Sequence, residues 1–263
     1  MSDRSAIEWT DATWNPVTGC TKVSPGCDHC YAERFAERFR GVPGHPYEQG
    51  FDLKLWPERL RQPLAWRRPR RVFVNSMSDL FHERVPDEFI AEAFEVMAAA
   101  PQHIFQILTK RPGRMASVVR RLAPQPLPHI WFGTSVESTR FVWRIEKLKE
   151  VPVQVRFLSI EPLLGPLPDL GLREIDRVIV GGESGPGHRP LDADWVRHVR
   201  DCCLTQRTAF FFKQWGGRTP KEGGRTLDGR TWDELPQAFS TPAGAHVREN
   251  RRQAPGIADG LGG

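Results

Sequence analysis

The feature that most constrains the fold is a regular alternation of short apolar runs with longer amphipathic stretches. The apolar runs, rich in β-branched and aromatic residues, occupy residues 71–75, 103–108, 129–133, 153–158, 177–181 and 208–213. Stretches of helical period lie between several of them, at residues 86–99, 113–122, 138–149 and 193–206. Strands alternating with helices form right-handed β-α-β units and a parallel sheet. With a further strand near residues 7–17 and a helix after Cys30, the sequence predicts an α/β protein, a partial or near-complete parallel β/α (TIM-like) barrel of about six to seven units.

The character of the sequence changes after Trp215. Residues 1–215 are expected to form the barrel domain. Residues 216–235 are predicted to form a loop and a hairpin extension that turns at Asp228-Gly229, because this residue pair favours a tight hairpin turn. Residues 236–263 are polar, rich in Gly and Pro and poor in large apolar groups, so a disordered tail is expected there.

Composition excludes several classes of protein. Hydrophobic residues make up 39% and charged residues 26% of the chain, which is not the composition of a wholly disordered or fibrous protein. The apolar runs are far shorter than the roughly 20 residues of a membrane-spanning helix, and the first residues form no apolar signal segment. We therefore expect a cytoplasmic protein without a membrane partner. In a reducing compartment, clustered cysteines bind metal or do chemistry more often than they form disulfides.

Charged residues follow the ends of most predicted strands. They are Lys110, Glu137, Glu161, Glu183 and Lys213. In β/α barrels the carboxyl ends of the strands face one mouth, where the active site is built. Polar turn residues alone would not require so many charges at these ends, so the pattern predicts a shared polar site.

Three of the five cysteines are clustered in one loop after the first predicted strand. Cys20, Cys27 and Cys30 have the spacing Cys-x6-Cys-x2-Cys, and the loop contains Pro25 and Gly26, which allow it to wrap around one centre. Two metal centres fit this pattern. A structural zinc ion requires a fourth ligand such as a histidine, whereas a [4Fe–4S] cluster held by three cysteines leaves one iron open to another ligand. The remaining pair, Cys202 and Cys203, point in different directions on a predicted helix and are expected to be structural thiols.

A three-cysteine loop after the first strand of a β/α barrel resembles the radical S-adenosylmethionine (SAM) superfamily. The usual spacing there is Cys-x3-Cys-x2-Cys, so the longer first gap is a departure, as is His29 where an aromatic residue commonly stands. Met77-Ser-Asp-Leu-Phe81 and Leu108-Thr-Lys-Arg111 resemble segments of the branch that contains spore photoproduct lyase. A longer set of motifs is similar to a phage-associated family whose members are mostly uncharacterised. These motifs are Trp9-Thr-x3-Trp-Asn-Pro, Cys-x6-Cys-x2-Cys-Tyr-Ala, Leu-Thr-Lys-Arg-Pro, Ser-Ile-Glu-Pro-Leu-Leu-Gly-Pro, Val-Gly-Gly-Glu-Ser-Gly and Phe-Phe-Lys-Gln-Trp-Gly.

The resemblance implies a cofactor set and positions for it. Cys20, Cys27 and Cys30 would ligate a [4Fe–4S] cluster, and SAM would bind the fourth iron. Ser78 and Asp79 would occupy the place where the superfamily binds the SAM amino group, for which a hydroxyl and a carboxylate are suitable acceptors.

Five further residues at strand ends are candidates for contacts with SAM or substrate. Two roles are open for Lys110. It would bind the SAM carboxylate or a substrate phosphate, or it would form a structural salt bridge within the barrel. Glu161, which Pro162 holds in an extended geometry, is a candidate for substrate or SAM contact. The Gly181-Gly182 pair would let the backbone approach a ligand closely. Glu183 would then either hold a ribose hydroxyl or accept hydrogen bonds from backbone groups of its own loop.

The resemblance implies reductive cleavage of SAM to a 5′-deoxyadenosyl radical, with an external electron donor and a substrate that the sequence does not identify. The net charge of +5 and the arginine runs 67–71 and 120–121 favour a nucleic-acid partner, DNA or RNA. The alternative is a non-catalytic nucleic-acid- or protein-binding module, stabilised by zinc or a cluster, on a degenerate barrel.

Overall fold

A computed structural model of the chain describes residues 5–240. Its main sheet has seven strands, and every neighbouring pair is parallel. In order across the sheet they are β1 (Ala12–Trp14), β4 (Arg71–Val74), β5 (Ile104–Thr109), β6 (Ile130–Ser135), β7 (Val155–Ile160), β8 (Arg177–Gly181) and β9 (Ala209–Gln214). The sheet curls into a half-barrel, which confirms the predicted partial parallel β/α barrel.

The helices lie between the strands, and their ends follow local chemistry. They are α1 (Tyr31–Glu37), α2 (Asp87–Ala98), α3 (Pro112–Leu122), α4 (Trp143–Lys149), α5 (Ala193–Gln206) and α6 (Gln237–Ser240). Helix α2 begins after Pro86 with two acidic residues in its first turn, where the helix dipole favours negative charge. The side chain of Asp192 caps α5. In the described part of the chain no helix is long and apolar enough to cross a membrane.

Alternating residues of each strand face two different cores, because successive side chains point to opposite sides of a sheet. Val72 and Val74 of β4 pack in the outer core between the sheet and the helices. Phe73, between them, packs inside the half-barrel. The inner cluster comprises Trp9, Phe73, Trp131, Val155, Phe157, Ile179 and Phe211. The inside of the sheet is therefore lined mainly by apolar side chains, together with the fully buried Gln106 of β5 and Arg177 of β8.

Two connections contain structure that the alternation does not predict. Strands β2 (Val17–Thr18) and β3 (Lys54–Leu55) form a small antiparallel sheet between β1 and β4. Residues 161–176, which join β7 to β8, form no helix and instead bury Leu163, Leu167, Leu170 and Leu172. These leucines cover the sheet where a crossover helix would otherwise lie.

The carboxyl-terminal extension begins along the exit of β9. Leu227 pairs with Arg230 across a turn in which Asp228 and Gly229 have φ values of 50° and 80°, as a type I′ turn requires. Phe239 of α6 packs on Trp131 with ring centroids 5.0 Å apart. The predicted tail starts at residue 236, so α6 lies within it, and residues 241–263 of that prediction lie outside the described residues.

Candidate functional site

A cavity of about 640 Å³ opens at the carboxyl ends of the strands. Nine of the sequence-predicted site residues line it: Cys20, Cys27, Cys30, Ser78, Asp79, Lys110, Glu161, Gly182 and Glu183. The tenth, Gly181, lies beside the wall, where a Cβ atom would come within 3.3 Å of Glu161 Cδ. Parallel strands end at one edge of the sheet, so loops from distant parts of the sequence meet here.

The cysteine loop forms one wall of this cavity. A short 3₁₀ turn spans Pro25–Cys27, and Cys30 directly precedes α1. All three cysteines are half-buried and free. Burial raises the pKa of the Cys20 thiol to about 11 and also raises that of Cys30. These two thiols are therefore protonated at neutral pH, and a metal bound to them would have to displace their protons. Within residues 5–240, no group of three or more His, Cys, Asp or Glu side chains is arranged to hold a metal ion.

Arg111 and Asp79 hold the start of the cysteine loop. Both Asp79 oxygens accept hydrogen bonds from Thr109 Oγ1, at 2.8 and 2.9 Å. Asp79 Oδ2 also accepts from Arg111 Nη1 at 3.2 Å and from the backbone N–H of Lys110 at 3.2 Å. The same Arg111 Nη1 donates to Cys20 Sγ at 3.5 Å, and Nη2 donates to Thr21 Oγ1 at 2.8 Å. Asp79 thus already has several protein partners and positions the guanidinium that contacts the loop.

Glu137, at the end of β6, holds the middle of the cysteine loop. Its side chain is fully buried, and Oε1 accepts a hydrogen bond from Ser24 Oγ at 2.6 Å. Oε2 accepts from Arg144 Nη1 of α4 at 2.9 Å. Lys110 Nζ lies 3.6 Å from Glu137 Oε1. Lys110 therefore forms an ion pair within the barrel, which is one of the two roles expected for it. Gly26 packs directly on this carboxylate, since a Cβ atom there would lie 2.5 Å from Glu137 Cγ.

Glu183 holds the end of the cysteine loop. Its Oε2 lies 2.8 Å from His29 Nδ1 and accepts from the backbone N–H of Arg189 at 2.9 Å. Arg189 Nη2 donates to Glu183 Oε1 at 2.5 Å and to the Pro25 carbonyl at 2.8 Å. Burial alone would raise the pKa of Glu183, but the hydrogen bonds from Arg189 and His29 lower it to about 2. Glu183 does accept a backbone donor of its own loop, as one alternative predicted, and it also links that loop to the cysteine loop.

The other predicted residues also have partners within the protein. Ser78 Oγ donates to the Val17 carbonyl at 2.8 Å, and Glu161 Oε1 accepts from Lys213 Nζ at 2.5 Å. A Cβ atom on Gly182 would lie 2.0 Å from the carbonyl oxygen of Trp215. Position 182 therefore requires a glycine because the backbone that follows β9 packs directly against it.

Sequence reasoning missed the residues that support the predicted ones. Arg111 directly follows Lys110 in the sequence, and its position in Leu-Thr-Lys-Arg-Pro was the one available signal. Arg144 on α4 and Arg189 after β8 carry no local motif. Cys203 is buried in the outer core, and Cys202 Sγ lies 3.5 Å from His198 Nε2 on the same helix. The structure places this pair on α5, and neither is among the residues that line the cavity.

Comparison with known proteins gives one family and two similar structures. The family model described as "Protein of unknown function (DUF5131)" matches residues 4–236. Spore photoproduct lyase complexed with dinucleoside spore photoproduct is similar at a TM-score of 0.45 and 12% sequence identity, over 76% of this chain and 62% of that chain. A tyrosine-to-phenylalanine variant of spore photoproduct lyase gives a TM-score of 0.44 at 12% identity, over 75% of this chain and 62% of the other. No curated protein sequence matches the chain.

Proposed function

We propose that this chain, which belongs to the DUF5131 family, is an iron–sulfur protein of the radical SAM type. The observation that carries the proposal is the cavity itself, since one wall presents three cysteines of a single loop and the other walls present the strand-end residues. Three thiolates suit a [4Fe–4S] cluster, because each ligates one iron and the fourth iron remains for SAM. The chain's motifs, which resemble those of the superfamily, support the same assignment.

The walls of the cavity also offer a donor for SAM. Asn75 lies just after β4, lines the cavity and is only 2% exposed. Its Nδ2 is buried and has no hydrogen-bond partner in the described part of the chain, whereas buried donors are nearly always paired in folded proteins. A carboxylate or ribose oxygen of SAM would satisfy this donor. We therefore add Asn75 to the proposed SAM-binding residues.

Each group of cavity residues has its own part in this proposal. When bound, the cluster and SAM would supply the one-electron cleavage of SAM to methionine and a 5′-deoxyadenosyl radical, with the electron coming from an external donor. Cys20, Cys27 and Cys30 hold the cluster, and the contacts of Arg111, Glu137 and Glu183 fix the loop that carries them. Trp9 and Phe73 of the inner apolar cluster line the cavity, where they would help to exclude water from the reacting groups.

We propose nucleic acid as the substrate class, supported by two features of the chain. The net charge is +5. Tyr31, which lines the cavity, and Phe35, one turn further along α1, are 53% and 43% exposed. Exposed aromatic rings next to a site can stack on bases. The arginine runs do not support binding at this cavity. Residues 67–71 lead into the first residue of β4, and residues 120–121 lie in the last turn of α3, so both runs lie at the opposite ends of the strands.

Reconstitution with iron and sulfide under anaerobic conditions tests the proposal. The wild-type protein should become brown, absorb near 400 nm and bind about four irons per chain. Replacing any one of Cys20, Cys27 and Cys30 by Ala should abolish the bound cluster, whereas a matched double Cys202→Ala/Cys203→Ala variant should retain it. After reduction, the wild-type protein with SAM should release 5′-deoxyadenosine.

Two results would contradict the proposal. A colourless protein that binds one tight zinc ion would instead support the non-catalytic module. Equal loss of iron from both sets of cysteine variants would refute the assignment of the ligands.

A further inference from the structure

We propose that Arg111 sets the reduction potential of the cluster through its hydrogen bond to Cys20. This inference rests on the proposed function, because it assigns Cys20 as a cluster ligand. The observation behind it is independent of any ligand. A buried guanidinium points one N–H group at a cysteine sulfur, with Arg111 Nη1 3.5 Å from Cys20 Sγ.

The rest of the Arg111 side chain is held by neighbours that leave it little freedom. Nη1 also donates to Asp79 Oδ2, Nη2 donates to the carbonyl and hydroxyl oxygens of Thr21, and Nε donates to Glu83 at 3.3 Å. The side chain is only 10% exposed. A planar guanidinium bound at several points keeps a fixed orientation, so its contact with the sulfur is a stable feature of the site.

Asp79 fixes this orientation from the other side. Its carboxylate is itself held by Thr109 Oγ1, by the backbone N–H of Phe81 at 2.9 Å and by that of Lys110. Asp79 is only 4% exposed, and solvent screens a buried ion pair less than a surface pair. Asp79 is therefore a positioning residue that acts on Cys20 through Arg111.

The contact with sulfur has a direct consequence for electron transfer. Reduction adds one electron, taken from a low-potential reductant, to the cluster and its thiolates, and no bond of the protein breaks. A positively charged N–H donor on a ligating sulfur stabilises the more negative, reduced form more than the oxidised form. Hydrogen bonds to the sulfurs are among the factors that set cluster potentials. Arg111 therefore raises the potential, and its removal lowers it.

The test is a potentiometric titration of the reconstituted cluster, followed by electron paramagnetic resonance of the reduced state. The variants are Arg111→Met, which removes the donor, and Arg111→Lys, which keeps the charge without the planar fork. The matched control is Arg34→Met, because Arg34 lies on α1 directly after the cysteine loop and donates to the carbonyls of Ser184 and Pro186, and within the described residues it has no hydrogen bond to a cysteine sulfur. Iron content is measured for every variant.

We expect Arg111→Met to make the reduced cluster at least tenfold less favoured at a given potential, which is a shift of about 59 mV to more negative values for a one-electron couple. Arg111→Lys should fall between this variant and the wild type, and Arg34→Met should match the wild type. An Arg111→Met cluster with full iron content and an unchanged potential would overturn the inference and leave the proposed function intact. A wild-type protein that takes up no cluster would refute both.

Discussion

Removing the Glu137 carboxylate should be among the most damaging single changes near the site. Glu137 is fully buried and Arg144 is 2% exposed, so Glu137→Ala leaves a cation in the interior without its partner. Breaking a buried ion pair in this way costs about 3–5 kcal/mol of unfolding free energy. For a domain of this size, about 2–4 °C of melting temperature is lost per kcal/mol, so the melting temperature should fall on the order of 10 °C. The cysteine loop also loses its 2.6 Å hydrogen bond from Ser24.

Two readouts follow the two effects of this substitution. The melting temperature reports the stability lost with the ion pair, and amide hydrogen exchange of residues 20–30 reports release of the cysteine loop. Glu150→Ala is the matched control, because its carboxylate also has two cationic partners but lies on the surface, where such pairs contribute little. A Glu137→Ala/Arg144→Met double variant should lose less stability than the sum of the two single changes. Additive losses, or a Glu137→Ala protein as stable as Glu150→Ala, would refute the reasoning.

Two further predictions concern the loop after β8. Gly182→Ala places a Cβ atom 2.0 Å from the Trp215 carbonyl oxygen, so thermal unfolding should show that the free energy of unfolding falls by roughly 1–3 kcal/mol. The control is Gly171→Ala, because nothing lies within 4 Å of a Cβ atom there. Equal losses of stability in the two variants would contradict the packing argument. Glu183→Gln tests the carboxylate whose pKa lies at about 2, below its ordinary value of 4.5. Since each pKa unit corresponds to about 1.4 kcal/mol, the ionised form of Glu183 contributes on the order of 3 kcal/mol to the free energy of unfolding. A lowered pKa gives stability that is present above about pH 4.5 and lost as the pH falls toward 2, so the urea midpoints of Glu183→Gln and wild type should converge over that range, and a difference independent of pH would exclude the assignment.

The fold could be predicted from the sequence because its strands are locally marked. The run at 177–181 coincides with β8, and the stretch at 193–206 coincides with α5. Both are bounded by clear changes of polarity or by a capping residue such as Asp192. The connection at 161–176 gave no such signal, because its buried leucines fit neither a helical nor a strand period. The β2–β3 pair is only two residues long on each side, too short for a detectable alternation.

The site was predictable in its location but less so in its detail. Charges after parallel strands must meet at one edge, so Lys110, Glu161 and Glu183 could be grouped without a structure. Their partners could not, because the contacts of Glu137 with Ser24 and of Glu183 with His29 join residues 113 and 154 positions apart. Spacing in a sequence contains no information on which of two buried charges is already neutralised. The functional roles of these residues remain predictions.

The same long-range contacts determine when the cysteine loop can form. Its three anchoring contacts join segments separated by 90, 113 and 154 residues. Closing such loops is slow compared with forming a helix, although the added entropy per doubling of length is only about 0.6 kcal/mol. At about 5–20 residues per second, the ribosome needs on the order of 10 s to make the segment between His29 and Glu183. The cysteines therefore leave the ribosome well before β8 and stay free thiols until β8 is in place. Under the proposed function, a cluster would be inserted only after the barrel is complete.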